Sequence, residues 1–105
     1  MSDVDILKSQ FVVKYHEMGP YKFYRFLMVY ALNKLILIEK DDYKGILPNL
    51  EFIEYHDKFI ILYRREGEDV YLELAKLFRK IAHKIYRVML KKKMTPPSTK
   101  FLTLV

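Results

Sequence analysis

The sequence predicts an α+β fold: helices packed on a small antiparallel sheet, with a long amphipathic helix at the C-terminal side. Three observations carry this expectation. Residues 70–89 repeat apolar side chains at helical spacing. Three shorter runs, "LILIEK" (35–40), "LEFIEY" (50–55) and "KFIILYRR" (58–65), are rich in β-branched and aromatic residues. The 105 residues suffice for one modest core without covalent staples, so the elements must share a single packed layer or sandwich.

In chain order, residues 3–18 read as a first helix. Val4, Leu7, Phe11, Tyr15 and Met18 recur at three- and four-residue steps, and Ser2 with Asp5 resembles a capping box. A strand from Phe11 to Glu17 competes, because "FVVKY" favours β structure. Gly19 then ends this helix and Pro20 opens the next, each in its favoured position. The second helix, residues 20–34, is apolar on almost every side. Tyr24, Leu27, Met28 and Ala31 define one face, Phe23, Phe26 and Tyr30 another, and Asn33 is the expected stop.

The sheet follows. The acidic loop "DDYKG" (41–45) ends the first strand, and His56 with Asp57 forms a tight hairpin between the second and third. "EGED" (66–69) breaks the last strand and opens the final helix. There Val70, Leu74, Leu77, Phe78, Ile81, Ile85, Val88 and Met89 make one apolar stripe. Acids at the start of this helix and Lys91, Lys92 and Lys93 at its end suit the macrodipole. "TPPST" (95–99) stops it. Residues 1–105 therefore read as one domain, with 95–105 a short tail that docks its apolar end on this chain or on a second copy.

Composition excludes several classes. With no cysteine there are neither disulfides nor thiolate metal sites, which suits a reducing cytoplasm. The longest apolar run, Phe26 to Leu32, is far too short to span a bilayer. The N-terminus "MSDVDILKSQ" is acidic where a signal peptide is basic, so no export is expected. Scarce Asn and Gln beside plentiful Lys, Glu and Ile lean toward a thermophile.

No active site is expected. His16, His56 and His83 stand far apart without metal-ligand spacing. Ser2, Ser9 and Ser98 lack an elbow motif. Asp41 and Asp42 are consecutive in one loop, and Gly19, Gly45 and Gly67 make no phosphate loop. Arg79 and His83 resemble the Arg–His pair of metal-independent helical ribonucleases, but those space the pair wider, on an all-helical bundle. No cofactor follows from any of these residues.

Charge carries the positive signal. Residues 74–105 hold nine basic side chains and no acid, whereas residues 1–73 have a net charge of −3. On a helical wheel Lys76, Lys80, Lys84, Arg87 and Lys91 fall in one arc. Like charges one turn apart cost helix stability, and a merely solvated face usually mixes signs. An acidic partner is therefore expected: a protein surface rich in Asp and Glu, or nucleic-acid phosphates as the alternative. No membrane partner is expected, since Trp is absent and the apolar side of this helix serves the core. The surplus apolar surface at Phe23, Phe26 and Tyr30 predicts a homodimer.

The whole chain, from "MSDVDILKSQFVVKYHEMGPYKFYRF" to "KKKMTPPSTKFLTLV", resembles small proteins of viruses that infect hyperthermophilic archaea. Length, the absence of Cys and Trp, Tyr/Lys/Ile richness and the expected α+β layout carry the likeness. Within that set it is similar to the anti-CRISPR proteins of Sulfolobus rod-shaped viruses that act against type I-D interference. The resemblance implies a non-catalytic inhibitor, working in the host cytoplasm, that binds the large, Cas10-type subunit of the effector. No binding residue is carried over from it. The alternative is a small basic nucleic-acid-binding protein, a viral transcription regulator or packaging factor.

Overall fold

The computed structural model describes residues 3–40 and 46–92. They form α1 (Asp3–Leu7), a π-helical turn (Lys8–Val12), α2 (Val13–Glu39), α3 (Pro48–Glu66) and α4 (Asp69–Lys91). Among the described residues there is no strand, so the fold is all-α and the expected antiparallel sheet does not exist. The "TPPST" stop and the tail, together with the loop 41–45, lie outside the described residues.

The three β-rich runs are helical for identifiable reasons. "LILIEK" continues α2, because Leu35 extends the inward series Phe23, Leu27, Ala31 by one more turn. Asn33 is exposed within that helix and does not stop it. The second and third runs merge into α3: Phe52, Phe59 and Leu62 recur at helical spacing on its buried side. His56 and Asp57, expected in a hairpin, are consecutive positions in the middle of α3. Pro48 occupies the first turn of α3, where its missing N–H costs nothing. The strand alternative for 11–17 is likewise helical.

Two glycines shape the path. At Gly19 the backbone takes φ 81° and ψ 162°, a conformation open to glycine, and α2 bends sharply there with Pro20 starting its second arm. Gly67 adopts the left-handed conformation (φ 73°, ψ 9°) and donates its N–H to the Tyr63 carbonyl at 2.7 Å, closing α3. Only Gly67 and Glu68 separate α3 from α4, so the two helices pack antiparallel as the main helical pair. Along α2, Tyr24 lies beside Lys80 and Lys84, while Glu39 at its far end pairs with Lys92. The second arm of α2 and α4 thus run in the same direction. The result is an up-down-up three-helix bundle with the N-terminal segment laid across one end.

The core is aromatic. Phe78 of α4 stacks on Phe52 and Phe59 of α3, both with ring centroids at 5.7 Å. Phe11 of the π turn meets it edge-on at 5.0 Å, and Phe23 of α2 at 6.4 Å. Around these rings Leu27, Ala31, Leu35, Leu74, Ile81 and Ile85 are buried. All eight apolar positions read from 70–89 face the core or its margin. Phe23, expected on an outward dimer face, is wholly buried within the monomer. No described helix is long and apolar enough to cross a membrane.

Phe78→Ala is expected to cost about 3–5 kcal/mol, the usual range for a large aromatic lost from a packed core. Urea denaturation followed by circular dichroism measures it. Tyr21→Ala, on a side chain 71% exposed, should change the midpoint little.

Candidate interaction site

α4 has two faces because its sequence does. One is buried against α2 and α3. On the other, Lys76, Lys80, Lys84, Arg87 and Lys91 all stand exposed, as the helical wheel requires. Among the described residues none of the five makes an ion pair. At about 1.5 Å per residue the stripe is about 22 Å long.

Two of these lysines are oriented. The ammonium groups of Lys80 and Lys84 lie over the Tyr24 ring, 5.3 and 5.1 Å from its centroid, so α2 supplies a platform that holds both cations side by side. At the N-terminal end of the same face the sign changes. Asp69 and Glu73 are exposed there, and Glu73 accepts a hydrogen bond from the Tyr15 hydroxyl at 3.2 Å. The strip is therefore acidic at one end and basic along the rest. Lys92 is satisfied differently, by Glu39 at 2.8 Å.

A second polar centre was not foreseen from the sequence. Glu51, on the first turn of α3, is buried at 7% exposure. Its Oε1 accepts from Lys34 Nζ at 2.6 Å, and its Oε2 from the hydroxyls of Tyr30 at 2.7 Å and Tyr55 at 2.8 Å. The three donors come from α2 and α3, so the cluster pins those helices together. Tyr30 remains partly exposed at its rim. Burial opposes the charge on Lys34, but hydrogen bonds to Glu51 and Tyr30 and the attraction of Glu51 outweigh it, and its pKa rises above the ordinary lysine range. Burial first, and then donation to Glu51, push Tyr55 above the ordinary tyrosine range; Tyr30 rises too, mainly by burial, with Lys34 opposing and Glu51 adding to the shift. All three hold their protons at neutral pH, which makes them poor acid–base catalysts there.

The other residues singled out earlier do not assemble with either centre. His56 Nδ1 lies 2.9 Å from Asp57 Oδ1, on the surface of α3. Arg79 is exposed and His83 half-buried, one turn apart on α4. The helical fold is shared with the metal-independent helical ribonucleases, but the short spacing of Arg79 and His83 separates the pair from theirs. Among the described residues no group of three or more His, Asp or Glu side chains is placed to hold a metal ion. Phe26, unlike Phe23, does face outward, with Lys14 5.0 Å from its ring centroid.

No family model matches the chain, and no curated protein or solved structure shows significant similarity to it.

The Glu51 cluster sets an alkaline limit. Lys34, Tyr30 and Tyr55 bind protons more tightly folded than unfolded, so their contribution is complete below about pH 10 and is lost as pH rises further. The urea midpoint should therefore fall above about pH 10. Glu51→Gln should lower stability at pH 7 by about 2 kcal/mol, less than for a fully enclosed pair because Lys34 keeps some solvent. The same variant should flatten the alkaline decline; equal slopes in wild type and variant would count against the cluster.

Proposed function

We propose that this protein is a non-catalytic binding protein that docks the basic face of α4 on a protein partner with an acidic surface. The observation that carries the reading is the exposed row Lys76, Lys80, Lys84, Arg87 and Lys91, unneutralised among the described residues and partly oriented by Tyr24. A row of like charges weakens its own helix. A partner of opposite sign offsets that cost and guides the encounter.

Protein is favoured over nucleic acid by the ends and the texture of the strip. Asp69 and Glu73 would repel a continuous phosphate backbone, whereas a protein surface can match both signs. Of the rings beside the stripe, Tyr24 is engaged by the ammonium groups of Lys80 and Lys84, and Tyr15 donates its hydroxyl to Glu73, so both are already committed within the chain. The resemblance to inhibitors from archaeal viruses supplies a concrete candidate: the large subunit of a type I-D CRISPR effector, met in the host cytoplasm. That likeness now stands on length and composition alone, since the α+β layout that also carried it is absent.

The same reading includes a homodimer. The outward side of α2 exposes Phe26, Val29, Leu32, Ile36 and Leu37, and Tyr30 extends it. An apolar face of this kind on a small chain is normally covered, and a two-fold pair covers it with one patch used twice. Pairing would also place two basic strips in one assembly.

Two measurements test the proposal. Reversing Lys80, Lys84 and Arg87 to Glu should leave the helical spectrum intact and weaken capture of the effector large subunit at least tenfold; unchanged capture would leave the stripe a solvated face. A gel shift on DNA or RNA that weakens steeply with salt would favour the nucleic-acid alternative instead. Light scattering at micromolar concentration should give about twice 12.7 kDa, and Val29→Asp, on a side chain 57% exposed, should return the mass to 12.7 kDa without unfolding the chain.

A further inference from the structure

A pocket of about 230 Å³ lies on the far side of α2 from the basic strip, where the π turn, α2 and α3 meet. The geometry points to this pocket as a binding site for a single planar aromatic group that carries a hydrogen-bond donor, such as a phenol or an indole. The pocket uses none of the lysines of the docking surface, and it shares Phe26 and Tyr30 with the outward apolar side of α2.

Size selects the class. The volume exceeds the roughly 150 Å³ that accommodates benzene in a dry engineered cavity. It falls short of the roughly 300–1,000 Å³ of pockets for drug-sized ligands. One ring or a fused pair fits; a nucleotide does not.

The walls select an aromatic. Phe11, Phe26, Phe52 and Tyr55 line the pocket, together with Leu27. Quadrupolar rings favour another ring in offset or edge-on contact.

The floor selects a donor. Glu51 lines the pocket and is more than nine-tenths buried. Its carboxylate has about four acceptor positions, of which Lys34, Tyr30 and Tyr55 take three. The hydroxyls of Tyr30 and Tyr55 are spent as donors toward Glu51, so the buried floor offers acceptors, while the exposed Lys14 at the lining is drawn to the Phe26 ring. A ligand O–H or N–H is satisfied there, and a bare hydrocarbon is not.

The backbone supplies an independent pointer. Gln10 and Phe11 reach the pocket from the π-helical turn Lys8–Val12, where the Val13 N–H bonds back to the Lys8 carbonyl, five residues earlier. Single π turns are rare, are less favourable than α-helix and gather at functional sites. This one contains neither Gly nor Pro that would force it. The wide turn carries Phe11 onto Phe78 in the core while Gln10 stays at the pocket rim.

The test is a titration of isotopically labelled full-length protein followed by two-dimensional NMR, with phenol, indole, benzene and toluene as probes. Phenol and indole should shift the signals of Gln10, Phe11, Phe52 and Tyr55, and benzene and toluene should bind about tenfold more weakly, the size of one hydrogen bond to a charged group. Gln10→Trp, at an exposed position, should fill the mouth and abolish the shifts without unfolding the chain. Blocked tyrosine and tryptophan amides form a second arm: tighter binding than the free rings assigns the pocket to a side chain of a partner, and weaker binding to a free small molecule. Shifts scattered over the whole surface, equal affinity for phenol and benzene, or shifts that survive Gln10→Trp would each overturn the assignment.

Discussion

Everything in this bundle is organised around one ring. Phe78 is in contact with aromatic side chains from three other elements: Phe11 from the π turn, Phe23 from α2, Phe52, Tyr55 and Phe59 from α3. Stacking on Phe52 and Phe59, edge contacts with Phe11 and Phe23 and a tilted contact with Tyr55 fix its orientation, and those neighbours in turn fix the helices that carry them. A small chain without cysteine to staple it gains its specificity this way. Shape and quadrupole at one centre select a single arrangement of four segments.

Because the aromatic centre satisfies the inner faces, the outer faces are free to differ. α4 exposes cations, α2 exposes aliphatic and aromatic groups, and α3 seals itself to α2 through the Glu51 hydrogen bonds. The buried carboxylate does for α2 and α3 what the rings alone cannot. Apolar packing tolerates sliding, whereas three short hydrogen bonds to one carboxylate fix register. Tyr30 and Tyr55 serve both purposes, as ring surface and as donor. The division leaves the electrostatic surface and the apolar surface on separate sides of one helix pair.

Much of this was legible in the sequence, and the errors share a cause. The period of 70–89, the break at Gly19 and Pro20, and the start of the last helix at "EGED" (66–69) each rest on strong local rules, and the structure follows them, although the element ended there is a helix and not a strand. The exposed basic arc followed from the same period. The sheet was misread because "LILIEK" and "KFIILYRR" combine β-branched and aromatic residues with little polar punctuation. In such runs propensity favours strand, while length and tertiary contact decide; Phe52, Phe59 and Leu62 were already at helical spacing. Phe23 was turned outward for a related reason. On a helix apolar all round, no polar face marks the direction of solvent, and a wheel drawn through Tyr24 instead of Phe23 is rotated by one residue. The Glu51 cluster was invisible because its donors sit at positions 30, 34 and 55, a set that only the packing of α2 on α3 brings together.

The two-residue link between α3 and α4 bears on the order in which the chain acquires its structure. Closing so short a connection loses little chain entropy, so the α3–α4 hairpin and its stacked Phe52, Phe59 and Phe78 form a local nucleus that can assemble rapidly. Phe11 must reach that nucleus from 41 positions before Phe52 and 67 before Phe78. Its segment gains contacts late in folding and is the cheapest to release from the native state, so amide hydrogens of residues 3–18 will exchange ahead of those in the hairpin. Opening of this kind uncovers Phe11 and the rings beneath it while the rest of the bundle stays intact.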